Sequence, residues 1–245
     1  MYPIVSIAGL LGLWLFAATI FQSPLLPAPN AVLQFIVTEI TSGDMLYHLA
    51  ITLWRVVAAF AIAMLIGCAI GLLMGRSRLA NSLLDPWLII FLNIPALVVI
   101  ILAYVWAGLT EAAAIAAVAI NKIPNVAVTA REGAKALDPD LDEMANAYRL
   151  STYEQLRHVI FPQLQPYFAA AARSGIALIW KIVLVVELLG RSNGVGFQLH
   201  LYFQLFDVTG ILGYTIVFAS VILLIELVIV QPYERHATRW RLRPS

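Results

Sequence analysis

Charge is scarce in this chain. Its 245 residues hold only 29 Asp, Glu, Lys and Arg side chains, 12% of the total, where a water-soluble domain carries about a quarter. Cysteine is nearly absent. Cys68 stands alone inside an apolar run, which excludes an intrachain disulfide and a Cys-rich metal site and leaves it a small packing residue. The four histidines (His48, His158, His200, His236) are scattered, and H-E-x-x-H does not occur. The one G-x-S-x-G match, Gly190-Arg191-Ser192-Asn193-Gly194, sits in a glycine-rich turn at the end of an apolar run and not in a strand-to-helix elbow, so no hydrolase constellation is visible. There is no G-x-x-x-x-G-K-[ST], so the chain has no phosphate cradle of that kind. A net charge of +1 with no basic cluster gives no footing for a nucleic acid.

Apolar residues are abundant. They make up 62% of the chain, with a mean hydropathy of +0.88, and they fall in runs of about 20 residues, the length that crosses a bilayer. Six runs can be drawn, at about 3–21, 51–75, 84–107, 110–130, 163–189 and 209–231. The first lacks a basic flank and a small-residue cleavage pattern, so it reads as a retained span and not a signal peptide. The expectation is a single all-α membrane domain over 1–245 with about six transmembrane helices.

Ten of the 29 charges lie between Arg131 and Pro162. Each would cost roughly 2.5–3.5 kcal/mol at the centre of a membrane helix, so 131–162 is expected to be an aqueous loop. Alternating the connections puts Arg76, Arg78, Lys122, Arg131, Lys135, Arg149, Arg157, Arg235, Arg239, Arg241 and Arg243 on one side, 11 of the 15 basic residues. The positive-inside rule makes that side cytoplasmic, with the loop and the C-terminus.

The loop carries two helix starts. Asp138-Pro139 is an N-cap with proline in the first helical position, and Leu141, Met144, Ala145 and Tyr148 then recur on one apolar face. Ser151-Thr152-Tyr153-Glu154 has capping-box spacing, with Tyr153, Leu156 and Ile160 as its apolar side and Pro162 at its end. Such faces either lie on the chain's own spans or meet another chain; composition does not choose between them.

This arrangement resembles the cytoplasmic loop of ABC-importer permeases, with its Glu-Ala-Ala, Gly and Ile-x-Leu-Pro positions. Glu143, Ala145 and Pro162 match that pattern and Val159 nearly so. Arg149 stands at the glycine and Phe161 at the leucine. A non-glycine residue in a left-handed turn costs on the order of 1–2 kcal/mol; the alternative is a tighter right-handed turn at Arg149. The likeness continues through Pro27-Ala28-Pro29-Asn30-Ala31-Val32, Asn93-Ile94-Pro95 with Trp106 and Gly108, Trp180-Lys181, and Glu187-Leu188-Leu189-Gly190 with Gly194-Val195-Gly196. It is similar to the nitrate, sulfonate and taurine branch.

That resemblance implies a type I importer-like fold and ATP-driven uptake of a small anionic solute. The implied partners are a separate dimeric ATPase that holds ATP-Mg, a second permease copy, and a periplasmic or lipid-anchored binding protein; the chain itself would bind no cofactor and hydrolyse nothing. It also implies that Glu143, Met144, Ala145, Tyr148, Arg149 and Pro162 lie at or near the joint with the ATPase. The rival is an ATP-independent transporter or channel, which would show inverted repeats with a broken helix in each half.

Ionisable groups inside spans are functional candidates. Arg55 is expected to snorkel outward, as is Lys181. Arg173 lies deeper and, with Lys181, Glu187, Asn93 and Pro95, is expected to line the path. Glu226 is expected to partner a neighbouring polar group. His48 is expected to be a solvated loop residue, 31–40 a short surface helix, and Gly190–Gly196 a re-entrant turn at the outer mouth.

Overall fold

The computed structural model describes residues 2–41 and 43–238. Arg239, Arg241 and Arg243, which contribute to the basic tail, lie outside the described residues. Those residues are helical almost throughout and cluster into two compact units, Met1–Trp54 with Leu184–Leu224, and Arg55–Val183 with Ile225–Ser245.

The first unit holds α1 (Tyr2–Phe21), α2 (Pro29–Thr41), the start of α3 (Met45–Arg76), the end of α9 (Phe161–Gly190), α10 (Val195–Gln204) and most of α11 (Val208–Ile225). Proline opens α2, where its missing N–H has no helical partner to lose. Trp14 Nε1 donates to the Pro27 carbonyl (3.0 Å), which ties α1 to the rigid Pro-rich entry of α2. Phe35 of α2 packs edge-on to Tyr202 and beside Tyr214, over Gly213.

The second unit is built on close approach of α3 to α6 (Glu111–Lys135). Gly67, Gly71 and Gly75 recur every fourth residue along one face of α3, and each lies against α6 at Val126, Ala127 and Ala130, or Ala134. Small residues let backbones pack tightly where lipid gives no hydrophobic drive for association. Gly133 on α6 likewise receives the Tyr167 ring of α9. Ser77 caps α4 (Arg78–Asn93) by accepting from Ala80 N–H (3.2 Å), and Thr110 caps α6 by accepting from Ala113 N–H (3.1 Å). Arg131 on α6 pairs with Asp85 of α4.

Among the described residues, four helices are long and apolar enough to cross a membrane: Met45–Arg76, Glu111–Lys135, Tyr153–Gly190 and Val208–Glu234. The run drawn as one span at 84–107 is two helices, α4 and α5 (Ala96–Ala107), bent by 97°. The cause is local. Pro95 has no N–H and holds the residue before it extended (Ile94 ψ 124°), while the Asn93 side chain donates to the Ile89 carbonyl (2.7 Å).

Two helices contain π-turns, in which an N–H reaches back five residues and one extra residue is absorbed. Phe161 N–H bonds the Leu156 carbonyl, joining α8 (Thr152–Gln155) to α9 without a break, and Gln231 N–H bonds the Glu226 carbonyl, joining α11 to α12 (Gln231–Thr238). The second has a clear effect. Glu226 and Glu234 would sit about 80° apart on an α-helix, and the absorbed residue brings them to about 20°. Both then reach Arg173 on α9: Glu234 Oε2 lies 2.6 Å from Nη1 and Glu226 Oε1 lies 3.7 Å from Nε.

Candidate functional site

The loop between α6 and α9 forms from local signals. The Asp138 carboxylate accepts from Asp140 N–H (3.0 Å) and starts α7 (Pro139–Ala147). That helix ends in a Schellman turn, with Leu150 N–H donating to the Ala145 carbonyl (3.0 Å). The residue in the left-handed position is Arg149, at φ 52°. The tighter right-handed alternative is therefore overturned: the chain takes the glycine-type turn with an arginine in it. The capping box closes in both directions, Ser151 N–H to Glu154 Oε2 (2.8 Å) and Glu154 N–H to Ser151 Oγ (3.3 Å). Gln163 then straps the loop to α9, accepting from Asp138 N–H (2.9 Å) and donating to the Val159 carbonyl (3.0 Å).

The two faces of the loop are now distinct. Ala145, Val159 and Ile160 are buried. Met144, Tyr153, Leu156 and Phe161 are exposed, and Tyr148 is 77% exposed; Glu143, Arg149 and Pro162 are exposed as well. Ala145, expected at a joint, faces its own chain, so the outward apolar surface of α7 belongs to Met144 and Tyr148.

The groups expected along a path are not brought together. Asn93 and Pro95 mark the bend between α4 and α5. Arg173 is half exposed and held by Glu226 and Glu234, so Glu226 has the polar partner expected of it. Lys181 is exposed, with Nζ 5.4 Å from the Trp180 ring centroid, a cation–π pairing.

A family model for the binding-protein-dependent transport system inner membrane component matches residues 63–241. The chain belongs to this family. It is 30% identical to an aliphatic sulfonates transport permease of Escherichia coli over 77% of this chain and 73% of that one. It is 28% identical to the E. coli taurine transport system permease, over 96% and 88%. Among solved structures, an inward-facing form of the MetNI methionine ABC transporter superposes with a TM-score of 0.69 at 18% identity, covering 82% of this chain and 99% of that chain. The chain is thus the membrane-spanning permease of an ABC importer, with several helices crossing the bilayer.

Three positions in this permease differ from the sequence reading. Arg55 does not snorkel: it is 1% exposed, and its guanidinium grips Glu111 at 2.7 and 2.9 Å. Lys122 is not part of an aqueous loop. It is 2% exposed inside α6, and Nζ donates to the Ser174 carbonyl on α9 (3.3 Å). His48 is buried, not solvated: Gly194 N–H donates to its Nδ1 (2.9 Å), and Gln198 lies 2.7 Å from Nε2.

His48 belongs to a buried knot at the 190–198 turn. Glu187, wholly buried, accepts from Thr52 Oγ1 (3.0 Å) and from Gly196 N–H (2.8 Å); Thr52 in turn accepts from Val195 N–H (2.8 Å). A Cβ at Gly194 (φ 109°) would run into the Glu187 carboxyl group, and one at Gly196 would strike the Leu184 carbonyl oxygen. Glycine is required here by close approach. Glu187 and the glycines of the 190–196 turn stood out in the sequence, but their partners His48 and Thr52 did not, since 135 residues separate Thr52 from Glu187.

Arg149→Gly is expected to be tolerated in this permease and to raise stability by about 1 kcal/mol, since it removes the left-handed strain at φ 52°. Thermal unfolding in detergent checks this; a fall in melting temperature would mean that the arginine makes a contact worth more than the strain.

Proposed function

We propose that α7 and α8 are the handle by which a separate ATPase dimer, holding ATP-Mg, drives this permease. The carrying observation is the two-faced loop: Ala145, Val159 and Ile160 anchor it to its own chain, while Met144 and Tyr148 stand outward on a helix of only nine residues. Aromatic side chains exposed on a rigid element are the usual anchors of a protein joint. The handle is well connected. Tyr153–Gly190 is one helix through the π-turn, so a tilt imposed on α8 moves the span directly, and the Gln163 strap carries α7 with it.

In this reading the permease crosses the inner membrane six times, with α1 and the bent α4–α5 pair added to the four long helices. The loop and the C-terminus are cytoplasmic. Two copies enclose the path, and an external binding protein delivers the solute. The sulfonate and taurine relatives support a small oxyanion as that solute. ATP shifts the balance between inward-open and outward-open forms only through unequal affinity of the ATPase for the two. Glu187 is assigned to the buried knot, where it fixes the turn after α9, and Arg173 to the latch with Glu226 and Glu234.

The test is a double substitution, Met144→Ala with Tyr148→Ala, in the importer reconstituted with its ATPase. Uptake is expected to fall at least about tenfold, the loss of a single anchoring aromatic at a joint, while the permease melts as before because both side chains are exposed. Undiminished uptake would remove the handle.

A further inference from the structure

We propose that Asn121, Asn125 and Thr129 of α6 line the aqueous route of the solute, with the buried Lys122 supplying the positive field that favours an anion there. The inference rests on the permease reading and assigns it a recognition surface in α6, where the sequence placed none.

α6 is the most buried of the long helices. Its one open strip is made by Ala112, Ala116 and Ile120, then by Asn125 and Glu132, all exposed, with Asn121 and Thr129 half-buried between them. The strip changes character midway. Its first half is apolar; its second half, from Asn121 to Glu132, is polar at every fourth or third residue. Asn121 and Asn125 stand roughly 15 and 21 Å along a helix of roughly 37 Å, near the middle of the bilayer.

An open amide at that depth cannot face lipid without a large penalty, because hydrocarbon offers it no hydrogen bond. Neither carboxamide side chain has a hydrogen-bond partner among the described residues. Thr129 Oγ1 bonds only the Asn125 carbonyl one turn back (3.1 Å). The strip therefore faces water, and it continues to the end of α6 that leads into the loop.

The field comes from Lys122. Its side chain is buried beside Gly175, with Cε 3.6 Å from where a Gly175 Cβ would stand. Its acceptor is a backbone carbonyl, and no carboxylate lies within 4 Å among the described residues. A charge without a counter-ion in low dielectric projects further than one paired at the surface. Ser174, whose carbonyl holds that amine, is itself exposed, so the charge lies just beneath an open face. At the loop end of the strip, Glu132 is offset by Arg131 (2.9 Å) and Lys135 (3.3 Å). Amide N–H groups and a buried cation suit a small oxyanion such as a sulfonate.

The test uses the assembled importer in inside-out vesicles on a Cys68→Ala background, which removes this chain's single thiol, and reads labelling on the permease band alone. Asn125→Cys and Asn121→Cys are treated with two membrane-impermeant methanethiosulfonates, one bearing a sulfonate and one a quaternary ammonium. Each rate is divided by that reagent's rate with a free thiol in solution. Both cysteines are expected to react, and the sulfonate reagent to be favoured about tenfold by the local charge. Lys122→Met is expected to abolish that preference, and Lys122→Arg, which keeps the charge should methionine disturb packing, to retain it. Leu65→Cys, exposed on an apolar face of α3, is the lipid-facing control. Labelling no faster than at Leu65→Cys, as would follow if the strip packed on a second copy, overturns the proposal, and so does a preference for the cationic reagent. Labelling needs no ATP, so a failure of ATP-driven uptake would count against the permease mechanism and leave this result standing.

Discussion

Gly71→Val is expected to remove most of the permease from the membrane. A Cβ at Gly71 would overlap the Ala127 carbonyl oxygen, stand 2.7 Å from the Ala130 Cβ and 2.9 Å from the Arg131 nitrogen. Two of these are backbone atoms of a helix, and neither has a rotamer to yield. The helices must separate, and the contacts at Gly67 and Gly75 loosen with them. Overpacking of a tight core costs roughly 1–3 kcal/mol per site, and a helix-wide shift puts this variant at or beyond the upper end. Gly12→Val is the control, since nothing lies within 4 Å of a Cβ there. Immunoblotting of membranes together with thermal melting measures both, and equal levels of the two variants would show that α3 and α6 do not meet as described.

Glu187→Ala is the second large effect, expected to lower stability by about 3–5 kcal/mol. It would leave the Gly196 N–H without its acceptor, remove one from Thr52, and open a hole beside Gly194. Unmet buried donors and cavities each cost several kcal/mol. Glu187→Gln keeps one oxygen in place and is expected to retain most of the stability. The pair separates two roles. A carboxylate holding a turn loses stability in the alanine variant and keeps uptake in the glutamine variant. A carboxylate contacting solute would do the reverse, and loss of uptake in a fully stable Glu187→Gln protein would return this residue to the path.

Much of the frame is legible in the sequence because it is written in local terms. Four of the six apolar runs, the Asp138-Pro139 start, the Ser151–Glu154 box and the break at Pro95 each act within a few residues, and each has its counterpart in the structure. What escapes is whatever depends on a distant partner. Arg55 looks like a snorkelling residue until Glu111, 56 positions away, is found against it. Lys122 looks like the edge of a polar loop because the loop's charges follow it closely. It is buried beside Gly175 and bonds the Ser174 carbonyl, 52 positions away. Arg149 is a different case. Propensity disfavours a left-handed arginine, and the hydrogen bond from Leu150 to Ala145 overrides it. The polar strip on α6 was present as Asn121, Asn125 and Thr129 at four-residue spacing, but only burial of the remaining faces gives that spacing a meaning.

The π-turn after Glu226 bears on how this permease changes over descent. Its extra residue aligns two carboxylates with Arg173, so the instruction is stored as a count and not as a residue type. Swapping one aliphatic side chain for another between Leu227 and Val230 would hardly be noticed. Losing a single codon there would straighten the coil and leave Glu234 on the same side, whereas gaining one would leave the coil as oily and swing Glu234 about 100° around the axis, stranding the arginine. Descendants should therefore drift freely in spelling across this stretch and tolerate one letter fewer, but not one more.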